Sequence, residues 1–284
     1  MSTQRVVLIS GTSSGIGLAS ALAFARAGDR VYASMRDPGR SGPLLERARS
    51  EGLELEPLAL DVQDEASIGR AVAEVLARQG RIDVLVNNAG VGYLGTTEQT
   101  GAADLRRIFE VNFFGTWGLT QAALPHMRAA GSGHIISVTS IGGLIGQPFN
   151  DAYCAAKFAV EGMMESLAPV VERFGVRVSL IEPGAVSSEF VANLGVSLGE
   201  GSGSSSGPYA AMLGSYLAGA EAAYASAQSA DEVAAVIVAA SKEARPHLRY
   251  QTSPGIRSLT GLKYLDPSGD SVVELTGSRL PRRV

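Results

Sequence analysis

Residues 5–20 read RVVLISGTSSGIGLAS. The apolar run from Arg5 to Ile9 is too short for a buried helix and ends against glycine, so it reads as a buried strand. Gly11, Gly15 and Gly17 follow at G-x-x-x-G-x-G spacing, and a helical pattern continues to about Ala27 and Gly28. A strand, a glycine turn and a helix in this order let the backbone approach a pyrophosphate, whose charge meets the unpaired N–H groups of the helix start. The turn itself runs Ser10-Gly11-Thr12-Ser13-Ser14-Gly15-Ile16-Gly17. The spacing departs from the G-x-G-x-x-G of ordinary dinucleotide folds.

Working outward, the next strand is Val31 to Met35. Where an NAD-specific fold would place an acid for the ribose 2′-hydroxyl, the chain has Met35 and then Arg36. Arg36 can pair with a 2′-phosphate, which puts NADP(H) ahead of NAD(H); Asp37 would serve the ribose if the strand ran longer. A helix from about Pro43 to Ser50 leads to a strand from Leu53 to Leu60, ending at Asp61 and Val62. Asp61 can accept from an adenine amino group or cap the following helix, Ala66 to Leu76. Ile82 to Val86 reads as a fourth strand with Asn87, Asn88, Ala89 and Gly90 at its mouth, small residues and amides able to border a flat cofactor and tie strands together. A helix expected from Ala103 to Ala130 carries Phe109, Val111, Phe113, Phe114 and Trp117. Asn112 interrupts that apolar surface and must cap a neighbouring backbone or position a water.

The stretch His134–Lys157, HIISVTSIGGLIGQPFNDAYCAAK, holds the candidate chemistry. Ile135 to Val138 reads as a strand that leaves Ser140 at its C-terminal mouth before the Gly142-Gly143 turn. Asn150 or Asp151 can cap the next helix, on which Tyr153 and Lys157 share a face. With eight tyrosines and three lysines, about 0.1 such pairs are expected by chance, so the pairing counts as a signal. A nearby ammonium favours the ionised phenol, and Ser140 can hydrogen-bond a substrate oxygen, which suits carbonyl reduction or alcohol oxidation.

Beyond this, the helix from Ala152 to Phe174 shows small residues on one face, for close packing or a symmetric dimer. The strand Val176 to Ile181 ends in Pro183, Gly184, Ala185, Val186, Ser187 and Ser188, a rigid turn able to present backbone to a nicotinamide amide. Residues 195–208, GVSLGEGSGSSSGP, read as a substrate lid or a plain surface loop. Helices Tyr209 to Ala227 and Ala230 to Ser241 and a last strand, His247 to Gln251, precede a tail expected to be mostly loop around Asp266 to Gly269.

Composition bounds the reading. The chain has 284 residues, 45% hydrophobic and 18% charged, enough for one large α/β core, and a net charge of −4 argues against nucleic acid as the main partner. One cysteine, Cys154, excludes an internal disulfide and suits a cytoplasmic setting. No run suits a signal peptide or a membrane span. The three histidines offer no metal-ligand spacing and read as surface or structural residues.

Gly11-xxx-Gly15-Ile16-Gly17, Asn87-Asn88-Ala89-Gly90, Asn112, Ser140, Tyr153-xxx-Lys157 and Pro183-Gly184 together resemble the short-chain dehydrogenase/reductase family. Within it, GGLIGQPFNDAYCAAKFAVEGMMESLA, the HLRY strand and the Asp-Pro-Ser-Gly tail resemble the branch of 17-beta-hydroxysteroid dehydrogenase type 1 and the photoreceptor-type retinol dehydrogenases. The resemblance implies a single domain over residues 1–284: an α/β, doubly wound, seven-stranded parallel Rossmann sheet, with a Gly/Ser-rich lid near 190–228 and a homodimeric or homotetrameric assembly. It implies NADP(H) and a bulky apolar ketone or secondary alcohol, steroid-like or retinoid-like, as substrates. Tyr153 is implied as general acid/base, Lys157 as its support on the nicotinamide ribose, Ser140 as the holder of the substrate oxygen and Asn112 as part of a water-mediated proton path. Gly11, Ser13, Ser14, Gly15, Ile16 and Gly17 would line the pyrophosphate and adenosine, Arg36 would take the 2′-phosphate, Asp61 and Val62 the adenine, Asn88 to Gly90 the adjoining ribose, and Pro183, Gly184, Val186 and Ser188 the nicotinamide. The chain lacks the branch's histidine between Ser197 and Pro246, and Arg279 stands where its tail glutamate would match. A pathway-specific ketoreductase would use the same chemistry on a different substrate; a non-catalytic NADP(H) sensor would keep the fold without turnover, and the intact Ser140, Tyr153 and Lys157 set counts against it.

Overall fold

The computed structural model describes residues 4–187, 208–225 and 227–281. β1 (Val6–Ser10), β2 (Arg30–Met35), β3 (Glu56–Ala59), β4 (Val84–Asn87), β5 (Gly133–Val138), β6 (Val176–Glu182) and β9 (Arg249–Gln251) form one sheet, ordered β3-β2-β1-β4-β5-β6-β9, and every pairing is parallel. β7 (Val186–Ser187) and β8 (Gln228–Ser229) pair separately. The helices are α1 (Gly15–Arg26), α2 (Gly42–Ser50), α3 (Glu65–Gln79), α4 (Ala102–Phe109), α5 (Gly115–Ala130), α6 (Asp151–Val171), α7 (Ala210–Ala225), α8 (Ala230–Lys242), α9 (Pro254–Leu265) and α10 (Asp270–Gly277).

Strand periodicity explains the layers. Val6 and Leu8 of β1 pack with Val72 of α3, Leu119 of α5 and Met164 of α6. Val7 and Ile9 point the other way, against Leu22 of α1, Leu44 of α2 and Ile237 of α8. Successive side chains leave opposite faces, and both faces are covered, so the strand must be apolar throughout. Each such buried aliphatic side chain stabilises the fold by about 1.5–3 kcal/mol. Connections from β1 run to β2 on one side while β4 lies on the other. The sheet order therefore switches direction between β1 and β4, and the crevice beyond their C-terminal ends is where such a sheet can take a ligand.

Three expectations need correction. The helix expected over 103–130 is α4, a π turn over Glu110–Phe114 and α5, and the turn carries Asn112 into the interior. The third strand begins at Glu56 rather than Leu53. The tail is more helical than expected, because Asp266 to Gly269 is only the turn between α9 and α10: Asp266 accepts from the N–H groups of Ser268 (2.9 Å) and Ser271 (2.8 Å). Residues 188–207, which include most of the expected lid, lie outside the described residues.

Candidate active site

The glycine turn after β1 is shaped by contacts that exclude side chains. Gly11 has φ +72°, a region costly for other residues, and a Cβ there would lie 2.8 Å from Ala89 Cα. A Cβ on Gly17 would stand 2.1 Å from Gly11 O and 2.4 Å from Asn88 Nδ2. Asn88 Nδ2 donates to the carbonyls of Ser10 and Gly11, both at 3.0 Å. Ser10 Oγ in turn accepts from the N–H groups of Asn88 (3.0 Å) and Ala89 (3.1 Å), so the mouths of β1 and β4 are tied together. Ser14 precedes α1 without a side-chain cap, leaving the first-turn N–H groups available to an anion. This cradle fits a dinucleotide pyrophosphate.

One cavity of about 860 Å³ joins this turn to the other expected residues. Gly11, Ser13, Ser14, Gly15, Ile16 and Gly17 line it, with Arg36, Asp61 and Val62 at one end and Asn88, Ala89 and Gly90 along the middle. Asn112, Ser140, Tyr153, Lys157, Pro183, Gly184 and Val186 line it as well; Ser188 lies outside the described residues. Arg36 is exposed beyond the end of β2. Asp37 is turned to a local task, accepting from Gly39 N at 2.9 Å to cap a 3-10 turn, and that turn brings Arg40 to the same wall. Asp61 Oδ1 accepts from Gln63 N at 3.0 Å, while Asp64 is the residue that caps α3.

At the opposite end the chemistry converges. Ser140 is extended, and its Oγ accepts from Gly142 N at 3.0 Å and is hydrogen-bonded with the Tyr153 hydroxyl. Ile141 N donates to Pro183 O at 2.8 Å, fixing the Ser140 turn against the Pro183 turn. Lys157 is buried, donates from Nζ to Val138 O at 3.0 Å, and lies 5.8 Å from the Tyr153 ring centroid. Burial, opposed by the Ser140 bond, pushes the Tyr153 phenol above its usual value. Burial also brings the Lys157 amine down to about 8, with Glu161 acting to raise it. The lowering of the tyrosine expected from its lysine does not emerge: desolvation is the largest influence on the phenol, and the Ser140 bond is what opposes it. Asn112 clamps Val91, donating to its carbonyl and accepting from its N–H, both at 2.9 Å, so it serves as the cap of a neighbouring backbone.

Further residues reach the cavity from distant elements, and of these only Arg279 is matched in the sequence to a functional position of the branch. Gln147, Asn150, Tyr216, Tyr224, Ile256 and Arg279 line the end beyond Tyr153. Arg279 donates to Gln147 Oε1, and Asn150 Nδ2 donates to Tyr216 at 3.2 Å. Asn150 precedes α6 without capping it; Asp151 instead accepts from Thr97 N at 2.7 Å. No local pattern in the sequence pairs residue 147 with 279. His134 is structural as expected, with Nε2 2.9 Å from Ser179 Oγ, and Cys154 is buried, its thiol pushed up to about 11 by desolvation.

Comparison with known proteins bears on these residues. A model of the short chain dehydrogenase family matches residues 5–197. The chain is 42% identical to 17-beta-hydroxysteroid dehydrogenase type 1 of Mus musculus over 276 residues, 94% of this chain and 79% of that protein. It is also 42% identical to retinol dehydrogenase 8 of Bos taurus, over 95% of this chain and 88% of that one. Among solved structures, a short-chain dehydrogenase/reductase from Burkholderia phymatum in complex with NAD has a TM-score of 0.81 and 26% identity, covering 94% of this chain and 95% of that one. A metagenomic short-chain oxidoreductase in complex with NADP has a TM-score of 0.68 and 28% identity, covering 87% and 96%.

Proposed function

The chain belongs to the short-chain dehydrogenase family and is an oxidoreductase acting on CH–OH groups; from that premise we propose that it transfers a hydride between NADP(H) and a bulky apolar ketone or secondary alcohol, steroid-like or retinoid-like. The observation that carries this reading is the convergence of Ser140, Tyr153 and Lys157 on the cavity that also opens on the glycine turn.

When bound, the nicotinamide supplies or accepts the hydride. The glycine turn and the start of α1 would hold the pyrophosphate, and Asp61 and Val62 the adenine. Asn88, Ala89 and Gly90 would hold the adjoining ribose, Lys157 and Tyr153 the nicotinamide ribose, and Pro183, Gly184 and Val186 the nicotinamide. Arg36, joined by Arg40, would meet the 2′-phosphate; in support, the carboxylate of Asp37 is engaged in its own turn. In reduction Tyr153 gives its phenolic proton to the carbonyl oxygen, which Ser140 holds by hydrogen bonding. A tyrosine kept neutral by burial is charged with a proton for that direction, and Lys157 steadies the phenolate that remains. In oxidation the same groups act in reverse. Asn112 shapes the wall by its clamp on Val91.

Ile256, Leu259, Ala220 and Val186 give the substrate end apolar surface, which supports a bulky apolar substrate. A homodimer is supported by exposed Phe114 (52%) and Trp117 (48%) and by exposed Ala155, Gly162 and Ser166 on α6. No described helix is long and apolar enough to cross a membrane; the single buried cysteine supports a cytoplasmic setting. Purified protein assayed with NADPH and NADH against a steroid ketone, retinal and a simple aryl ketone tests the reading: NADPH-dependent turnover of a bulky ketone is expected, and tight NADPH binding with no turnover across the panel would count against it.

A further inference from the structure

On α6 the spacing of four residues continues past the expected pair: Tyr153, Lys157, Glu161 and Glu165 follow one another along one face. Glu161 is only 4% exposed, and a carboxylate so buried in a helix needs compensation. Thr139, the neighbour of Ser140, donates to its Oε1 at 2.6 Å, and Arg249 of β9 donates from Nε to its Oε2 at 3.0 Å. Glycine at 143 admits it, since a Cβ there would stand 3.1 Å from Glu161 Cγ. Other charged or titratable groups also face it. Glu182 of β6 reaches the same Arg249 Nε at 3.3 Å, Glu165 takes Arg249 Nη2 at 2.5 Å, and Tyr264 of α9 lies within their field. On the other side of Glu161, Lys157 is the buried cation, and Glu161 is the charged group acting on it.

We propose that Glu161 is a positioning residue of the reaction. Its buried carboxylate faces Lys157 from one helical turn away as a counter-charge and, through Thr139, holds the backbone that presents Ser140, while Arg249 compensates that carboxylate from the far edge of the sheet. The proposal rests on the dehydrogenase reading for its role in turnover and on the Thr139 and Arg249 contacts for its geometry. Loss of the negative charge leaves Lys157 in an apolar site without a counter-charge, so the amine gives up its proton at lower pH.

The chain has three lysines, Lys157, Lys242 and Lys263, so lysine labelled with 13C at Cε gives three resolvable titrations. In Glu161→Gln the Lys157 titration is expected to fall by about one pH unit. In Thr139→Val, which removes the hydroxyl and keeps the charge, it stays in place. In the wild-type protein Lys157 is expected to show a second, small inflection as Glu161, whose carboxyl burial holds above its ordinary value, takes up a proton, which needs no variant to fold. An unmoved Lys157 titration in folded Glu161→Gln, or the absence of that inflection, overturns the proposal. The alkaline limb of NADPH-linked turnover should move with the lysine. Absence of any wild-type turnover would instead sink the dehydrogenase reading, and the lysine titration would still decide the role of Glu161.

Discussion

The ammonium nitrogen of Lys157 stands 5.8 Å from the centroid of the Tyr153 ring while giving a hydrogen bond to Val138 O at 3.0 Å. The lysine is therefore anchored to the end of β5 and acts on the tyrosine through space. Burial sets the direction of the Tyr153 shift, raising the phenol above its usual value, and the hydrogen bond with Ser140 opposes it.

Arg36 and Arg40 both line the cavity, at the end proposed to take the adenosine. Replacing Arg36 with alanine should lower kcat/KM for NADPH by about 10- to 100-fold, the size of a lost charge-assisted contact, and leave the NADH value nearly unchanged. Arg40→Ala should do the same more weakly. Steady-state kinetics with both cofactors check this, and an equal loss with NADH would remove the arginines from 2′-phosphate recognition.

Gly17→Ala should damage cofactor binding without reaching the catalytic residues. Its Cβ would meet backbone at Gly11 and the Asn88 amide that braces the turn, forcing the turn to move at a cost of about 1–3 kcal/mol. Fluorescence titration with NADPH should show at least a tenfold weaker complex, roughly 1.4 kcal/mol.

Glu182 is fully buried, and desolvation together with Glu161 pushes its carboxyl up to about 7 from 4.5. Arg249 lies near its Oε1 but gives its Nε hydrogen to Glu161, so that oxygen has charge compensation without a hydrogen bond. The folded state binds this proton more tightly than the unfolded chain. Its contribution is therefore present in full below pH 4.5 and is lost as pH rises through about 7. Glu182→Gln stays neutral and should gain on the wild type across that window, by up to about 3 kcal/mol. Denaturant melts at pH 4.5 and pH 8 read the difference; a gap that does not change with pH would contradict it.

Phe113 stacks edge-on with Phe114 at 5.2 Å and lies 6.0 Å from Trp117, presenting aromatic surface on α5 and the turn before it. Trp117→Arg should shift sedimentation toward monomer while leaving the far-UV spectrum unchanged. A wild-type protein already monomeric at micromolar concentration would show that this surface does not serve self-association.

How much the sequence discloses depends on how local the cause is. The β1 turn, the Tyr153/Lys157 pair and the Asn88 brace are written in short stretches, where glycine spacing or helical periodicity carries the geometry. Glu161 and Glu165 extend the same spacing but go unread in the sequence, because their meaning needs Arg249, 88 and 84 residues away. Arg40 depends on a 3-10 turn capped by Asp37, and Arg279 on where α10 ends. The direction of the Tyr153 shift is a property of burial, which no spacing rule reports.

The central claim is that Tyr153 transfers the proton, and NADPH consumption with the best ketone of the panel, in wild type and Tyr153→Phe, tests it most directly. Removing one hydroxyl should cut kcat by about 100-fold to 10,000-fold while NADPH binding and thermal stability stay close to wild type. A folded Tyr153→Phe protein that binds NADPH and reduces the ketone at the wild-type rate would contradict the account.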